Sequence, residues 1–158
     1  MKTAIISGTF DPMTVGHVDI VRRAAMLFDK VVVAVSSNSE KNCFFPDEVR
    51  LATVNESIKG IENAEAYICD GLLAEFCNRF ENPIIVRGAR MGSEFDYERT
   101  LFIINKNLGV PETIIFPAES GLEHISSTYV RELIKYGKDI KDVVSDGARK
   151  VIEEYLNK

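Results

Sequence analysis

Strand-like and helix-like segments alternate along the whole chain, and this alternation restricts the possible folds most. The uninterrupted apolar runs at 3–7 and 31–35 are typical of strands buried on both faces. Further strands are predicted at 64–68, 83–86 and 113–116, and helices at 18–28, from 46, and at 72–80, 95–108, 127–136 and 146–156. This order predicts one α/β domain over 1–158: a five-stranded, doubly wound parallel sheet with helices on both faces, on which helices 127–158 also pack.

Composition and charge narrow the function classes. The 158 residues are 46% hydrophobic and 27% charged, which is a globular composition. A net charge of -5 provides no general basic field for nucleic acid, and no apolar run approaches the roughly 18 residues of a membrane span. Cys43, Cys69 and Cys77 are odd in number without a CxxC pair, so we expect a reducing, cytoplasmic location. A bound polyphosphate would therefore need locally gathered cations.

The loop after the first strand, SGTFDPMTVGH at 7–17, is the first candidate for such a site. Ligands of doubly wound sheets bind beyond the carboxyl ends of the strands. Gly8 removes a side chain where the backbone leaves the sheet, so a phosphate could approach the amides. The start of the next helix, at Gly16 and His17, favours an anion, and Thr14 can face the same ligand as His17. The loop is neither a Walker A motif nor GxGxxG.

Three segments of the chain match signatures of one superfamily. GTFDPMTVGH at 8–17 resembles the (H/T)xGH signature of nucleotidyltransferases, and ISSTYVR at 125–131 resembles their ISSTxxR signature. RGAR at 87–90, followed by FDYE at 95–98, is similar to the RGxR and YE region of bacterial phosphopantetheine adenylyltransferases. The similarity to that family spans essentially the whole chain.

This resemblance implies a Rossmann-like domain and an enzyme. The implied reaction is the reversible transfer of the adenylyl group from ATP to 4′-phosphopantetheine, which gives dephospho-coenzyme A and pyrophosphate in coenzyme A biosynthesis. It also implies a homohexamer, and we expect inhibition by coenzyme A because product and inhibitor would share the acceptor pocket. We expect Mg²⁺ to arrive on the ATP phosphates, because the sequence shows no dedicated metal-ligand cluster.

The resemblance also implies the roles of individual residues. His17, as transition-state stabiliser, Lys41 and Arg90 would be catalytic. The acceptor would contact Thr9, Lys41, Leu73 and Arg87. The ATP site would consist of Thr9, Phe10, His17, Gly88, Ala89, Arg90, Glu98, Leu122, Glu123, His124, Ile125, Ser126, Ser127, Thr128 and Arg131. The second pKa of a phosphomonoester is about 6, so the acceptor could attack the α-phosphorus without a general base.

Most of these residues also have a purely structural interpretation. Arg87 and Arg90 could form ion pairs, for instance with Glu94 or Asp96, and Glu98 could be an exposed helical carboxylate. Residues 126–128 would cap a helix in any protein. Similarly, Lys41 could be a solvated loop lysine, Leu73 a core residue, and His124 a surface or stacking residue.

The chain also departs from the family pattern. Ser7 replaces a usual proline, Pro46 replaces a usual serine or threonine cap, and residues 122–124 differ around ISS. These departures affect the adenine contacts more than the phosphate chemistry.

Three other functions remain open. A nicotinate mononucleotide adenylyltransferase shares both superfamily signatures, but Thr14 in place of a histidine and the RGAR segment argue against it. A cytidylyltransferase would carry a different second motif. A non-catalytic nucleotide-binding regulator would not need His17, Arg87 and Arg131 together.

Overall fold

The computed structural model describes residues 1–37, 42–90, 92–110 and 112–157. Its strands are β1 (Thr3–Gly8), β2 (Lys30–Ser37), β3 (Ala64–Asp70), β4 (Pro83–Ala89) and β5 (Thr113–Pro117). Its helices are α1 (Val15–Ala25), α2 (Asp47–Ile58), α3 (Leu73–Cys77), α4 (Gly92–Asn107), α5 (Ser127–Lys135) and α6 (Asp146–Leu156). The predicted alternation of strands and helices is present throughout.

The five strands form one parallel sheet in the order β3-β2-β1-β4-β5. β1 lies at the centre, and its residue Ile5 is in register with Val32 of β2 on one side and Ile85 of β4 on the other. The chain winds outward from β1 to β3 and then crosses back to β4. The strand order therefore reverses between β1 and β4, where such sheets bind ligands. The predicted α/β fold class is confirmed.

Alternate residues of the central strands enter two different cores. Ala4 and Ile6 pack with apolar side chains of α1 and α2 on one face of the sheet. Ile5 and Val32 pack on the other face, with side chains of α3 such as Phe76. Residues 31–35 of β2 are fully buried, as a sheet covered on both faces requires.

The carboxyl-terminal helices form a third core with α2. Phe45 packs there with Ile152 of α6, and the Ser57 and Ser145 hydroxyls lie 2.8 Å apart. At Gly147 a Cβ atom would stand 2.9 Å from the Cβ of Glu56. A glycine at this position allows α6 to approach α2 closely.

Several boundaries differ from the sequence prediction. β4 extends to Ala89, so Arg87 and Gly88 belong to the strand rather than to the loop predicted from residue 87. Their backbones pair with β5, a contact that local sequence does not encode. Pro46 has extended backbone and precedes α2 instead of occupying its first turn. α3 ends at Cys77, and residues 78–80 continue as turns.

α4 differs from the other long helices because Glu98 is its one buried residue among those described. Four large apolar residues of this helix are exposed: Phe95, Tyr97, Ile103 and Ile104. In the described part of the chain, no helix is both long and apolar enough to cross a membrane. These four side chains of α4 are exposed on the surface of the chain.

Candidate active site

A cavity of about 450 Å³ opens at the carboxyl ends of β1 and β4, where the strand order reverses. The amino-terminal ends of α1 and α5 and the first turns of α4 complete its walls. Thirteen of the residues predicted for the site line it: Thr9, Phe10, His17, Arg87, Gly88, Ala89, Arg90, Glu98, Leu122, Ile125, Ser126, Ser127 and Thr128.

Four other predicted residues lie away from this lining. Arg131 donates to the Asp11 carbonyl at 2.7 Å and to the Thr128 hydroxyl at 3.1 Å. Glu123 accepts from the backbone N–H of Gly121, and the His124 ring faces the exposed Tyr129. Leu73 packs at the edge of the α3 core. The remaining prediction, Lys41, falls outside the described residues.

His17 is held at the start of α1 by a reciprocal cap with Thr14. The Thr14 N–H donates to His17 Nδ1 at 3.0 Å, and the Thr14 hydroxyl accepts from the His17 N–H. Because Nδ1 accepts a hydrogen bond, the neutral ring carries its proton on Nε2. Desolvation of the ring, with smaller contributions from Arg90 and Arg87, lowers the pKa of His17 to about 4. At neutral pH the ring is therefore an uncharged Nε2–H donor.

Phe10 supports the ring of His17 from a constrained backbone position. Its φ of 48° lies in the left-handed region, and its side chain is 4% exposed. The phenyl ring packs edge-on against His17, with 5.1 Å between the ring centroids. A Cβ atom at Gly8 would stand 3.0 Å from this phenyl ring. The approach of a phosphate at Gly8 stays a prediction, whereas the structure shows that the absence of a side chain at Gly8 makes room for Phe10.

Arg87 is bound by a buried carboxylate. Its Nε and NH2 groups donate to the two oxygens of Glu98 at 2.8 and 2.9 Å, and NH1 donates to the Ser7 carbonyl at 2.5 Å. Glu98 is 5% exposed, which contradicts its interpretation as an exposed carboxylate. The ion pair considered for Arg87 is present, but with Glu98 rather than Glu94 or Asp96. The pair fixes the guanidinium at the cavity wall.

Arg90 has a second, more exposed carboxylate partner. Its Nε and NH2 groups donate to Glu94 Oε1 at 3.1 and 2.7 Å, and its backbone N–H donates to Oε2 at 2.6 Å. The side chains of Arg90 and Glu94 are 36% and 28% exposed, against 23% and 7% for Arg87 and Glu98. Water can compete with Glu94 for Arg90, because this pair is the more exposed of the two. Arg90 can therefore exchange its carboxylate partner for a phosphate at a lower cost in free energy than Arg87 can.

The start of α5 forms the opposite wall of the cavity. The Ser126 hydroxyl accepts from the Tyr129 N–H, which confirms the predicted helix cap. The Ser127 hydroxyl donates to the Pro12 carbonyl at 2.8 Å and so ties α5 to the loop after β1. Unpaired N–H groups at a helix start attract anions. The cavity thus combines a neutral histidine donor, two arginines and a helix start.

Four polar residues that line this cavity were not predicted as site residues: Ser7, Glu94, Tyr97 and Glu119. Ser7 also places its hydroxyl 3.2 Å from Arg87 NH1. Its position at the end of β1 was a usable signal, because strand ends form the site in this fold. Within the described residues, no group of three or more His, Cys, Asp or Glu side chains is arranged to hold a metal ion.

Comparison with known proteins identifies the family. The family model described as Cytidylyltransferase-like matches residues 5–133. Phosphopantetheine adenylyltransferase from Cutibacterium acnes is 43% identical over 141 residues, covering 89% of this chain and 90% of the relative. The enzyme of the same name from Staphylococcus haemolyticus is 38% identical over 156 residues, covering 98% and 97%. The chain belongs to the phosphopantetheine adenylyltransferase family.

Membership of the phosphopantetheine adenylyltransferase family agrees with the fold of a solved structure. A Vibrio parahaemolyticus protein, provisionally assigned as a nicotinate-nucleotide adenylyltransferase, superimposes with a TM-score of 0.72 over 98% of this chain and 93% of its own. At 18% sequence identity this likeness concerns the fold alone. The relatives at 38% and 43% identity favour the phosphopantetheine enzyme over the mononucleotide alternative.

Proposed function

We propose that this enzyme transfers the adenylyl group of ATP to 4′-phosphopantetheine, releasing pyrophosphate and dephospho-coenzyme A. The observation that carries the proposal is the convergence of His17, Arg87, Arg90 and the start of α5 on one cavity. These groups can bind a polyphosphate. The transfer needs no general base, because a phosphate acceptor is already ionised near pH 7.

In the proposed reaction, an acceptor oxygen attacks the α-phosphorus in line with the bridging oxygen of pyrophosphate. The P–O bond to the acceptor forms as the bond to pyrophosphate breaks, and the pyrophosphate leaves as an anion. His17 Nε2–H donates to an α-phosphate oxygen, where negative charge is concentrated in the transition state. A fixed donor of this kind stabilises the transition state without reorganisation.

The remaining predicted residues divide between the two substrates. Arg90, Gly88, Ala89 and the start of α5 would bind ATP, and Arg131 would support that site through Asp11 and Thr128. Arg87, Thr9, Leu73 and Lys41 would bind the acceptor. The observed carboxylate pairs imply that ATP phosphates replace Glu94 on Arg90, while Glu98 continues to hold Arg87.

We expect Mg²⁺ to enter with ATP. Mg²⁺ keeps several waters and commonly binds through substrate phosphates with one or two carboxylates. Glu94 and Glu119 line the cavity and are carboxylates that could contact a hydrated ion. When bound, the ion would neutralise phosphate charge. Turnover that is abolished by a chelator and restored by added Mg²⁺ would support this expectation.

We also propose the homohexamer, on the evidence of the exposed apolar residues of α4. Phe95, Tyr97, Ile103 and Ile104 are each about half exposed or more on one helix. A group of large exposed apolar residues is typical of an interaction surface. Ile103→Lys should shift the sedimentation coefficient of the assembly toward smaller species, whereas Lys150→Glu, on the distant α6, should not. A wild-type monomer in solution would contradict this proposal.

The thiols support a reducing, cytoplasmic location. Cys43, Cys69 and Cys77 are free. Burial raises the pKa of Cys69, and it raises the pKa of Cys77 to about 11, so neither thiol is readily ionised. Fractionation of the producing cells would test the location.

Inhibition by coenzyme A is tested by adding it to the assay, where competition with 4′-phosphopantetheine is expected.

The decisive experiment is a pyrophosphate-release assay with ATP and one acceptor at a time. Rapid release with 4′-phosphopantetheine, and none with nicotinate mononucleotide, is expected. Turnover with the mononucleotide alone would overturn the proposed function. Tight ATP binding without turnover on either acceptor would favour a nucleotide-binding regulator instead.

A further inference from the structure

A buried arginine outside the cavity lining joins the loop after β1 to the neighbouring strand. Arg50, on α2, is 1% exposed. Its NH1 group donates to the carbonyl oxygens of Thr9 at 2.5 Å and Ser36 at 2.9 Å, and its NH2 group donates to the Asp47 carboxylate at 2.6 Å. One guanidinium therefore links the carboxyl ends of β1 and β2, at the edge of the sheet where the active site lies.

The burial of Arg50 is difficult to explain by a gain in stability alone. The Asp47 partner is 41% exposed, and Arg50 Nε is a buried donor without a partner among the described residues. The penalty for removing an arginine from water is comparable to the gain from its ion pair, and replacing both members of a buried pair by apolar residues is often neutral for stability. The two carbonyl contacts, rather than the ion pair, distinguish this arginine from an apolar side chain.

The Thr9 carbonyl directly precedes the constrained residue of the site. The peptide group that contains this carbonyl leads into Phe10, whose φ of 48° places its ring against His17. On the other side of Phe10, the Asp11 carboxylate accepts from the backbone N–H groups of Phe44 at 2.8 Å and Phe45 at 2.9 Å. The loop is thus held on both sides of Phe10. Surrounding contacts of this kind allow a left-handed backbone to persist in a non-glycine residue.

We propose that Arg50 is a positioning residue for adenylyl transfer: by binding the Thr9 carbonyl it holds Phe10 in its left-handed conformation, and Phe10 in turn holds the His17 ring in the orientation that donates to the α-phosphate. This role rests on the proposed function of His17. Arg50 does not touch the substrates, and its effect passes through the backbone of the loop after β1.

The central test compares Arg50→Met with a matched control, Asp47→Asn. Methionine fills much of the volume but cannot bind either carbonyl, so kcat should fall about 10- to 100-fold, as expected when a catalytic group is misplaced. The KM for ATP should change little, because Arg90 and α5 remain. Asp47→Asn weakens the partly exposed ion pair but keeps both carbonyl contacts, and its kcat should stay within about threefold of wild type.

Arg50→Lys keeps the test decisive if the methionine variant does not fold. A lysine keeps the positive charge near Asp47, but it lacks the planar fork of arginine and cannot reproduce the same set of contacts. Its kcat should lie between those of wild type and Arg50→Met. Wild-type kcat in a folded Arg50→Met or Arg50→Lys variant would overturn the proposal, as would an equal loss of kcat in Asp47→Asn.

An NMR measurement separates this inference from the proposed function. In substrate-free protein, ¹⁵N shifts of the His17 ring should report the Nε2–H tautomer for wild type and Asp47→Asn. In Arg50→Met the ring signals should shift or broaden, because Phe10 no longer holds the ring. Unchanged His17 signals would overturn the positioning role even if kcat falls. If wild type shows no adenylyl transfer, the proposed function fails, while the NMR result still decides whether Arg50 orients His17.

Discussion

Two of the helices that line the cavity, α1 and α4, are packed in contrasting ways. α1 buries Val18, Ile20, Val21 and Ala24 against the sheet. α4 is five residues longer but buries Glu98 alone among its described residues, and it exposes Phe95, Tyr97, Ile103 and Ile104.

The contrast indicates that the two sides of the site depend on different kinds of contact. On the α1 side, His17 is fixed by the cap with Thr14 and by packing against Phe10. On the α4 side, Arg87 and Arg90 are held by carboxylates of α4, a helix with little apolar anchorage. We therefore expect substitutions near α1 to act on transition-state geometry, and substitutions in α4 to act on stability, arginine pairing and assembly.

The largest effect should come from His17→Ala. Loss of one transition-state donor should lower kcat about 100- to 1000-fold, with a much smaller change in ATP affinity. Initial rates of pyrophosphate release and calorimetric ATP binding measure the two quantities. Lys150→Ala is the control, because Lys150 is an exposed residue of α6 outside the cavity lining and its loss should leave both unchanged. A kcat for His17→Ala within about threefold of wild type would refute the assigned role.

Next in size is the effect of Glu98→Gln on stability. This change leaves Arg87 with its buried partner uncharged and should destabilise the fold by about 3 kcal/mol, as in other broken buried pairs. The matched change Glu94→Gln affects a more exposed pair and should cost less than about 1 kcal/mol. Urea unfolding measures both. Equal costs would show that the two arginines are held alike.

The pH dependence of stability tests the burial of His17. Its pKa falls from 6.5 to about 4 on folding, so between these values the unfolded chain binds more protons than the folded one. The contribution of His17 to stability is therefore complete above pH 6.5 and declines as the pH falls toward 4. Urea unfolding at pH 5 and pH 7 should show a smaller pH dependence for His17→Gln than for wild type. Identical pH dependence would contradict the lowered pKa.

The smallest effect should come from Thr14→Ala, which removes the helix cap of α1. The expected loss is about 1 kcal/mol, typical of such caps. The backbone N–H of residue 14 can still donate to His17 Nδ1, so kcat should fall less than in His17→Ala. Thermal unfolding and initial rates check both expectations. A loss of kcat as large as that of His17→Ala would show that the hydroxyl itself orients the ring.

The strands, the helices and the loops that line the cavity could be predicted because they are encoded locally. The apolar run at 31–35 specifies a buried strand, and the TxGH string specifies a strand-to-helix loop. The motifs also placed His17 and Arg90 at one site, since strand ends meet in this fold.

Contacts between distant segments could not be predicted. Pairing of β4 with β5 places Arg87 within a strand, and the buried partner of Arg87 is Glu98 of α4. The contacts of Arg50 could not be predicted from the sequence either. Its acceptors are the backbone carbonyls of Thr9 and Ser36, and every residue has a carbonyl. Such contacts depend on the three-dimensional path of the chain rather than on residue type.

The central position of β1 has a consequence for synthesis on the ribosome. β1 emerges first, and β2 can pair with one of its edges once residue 37 is available. The other edge of β1 stays unpaired until β4 is synthesised, because Pro83, Ile84 and Ile85 of β4 pair with residues 3–5. A nascent chain that stalls before this point exposes an unpaired apolar edge, which is a template for aggregation. Translation through residues 38–82 is therefore the interval in which a chaperone would protect this protein most.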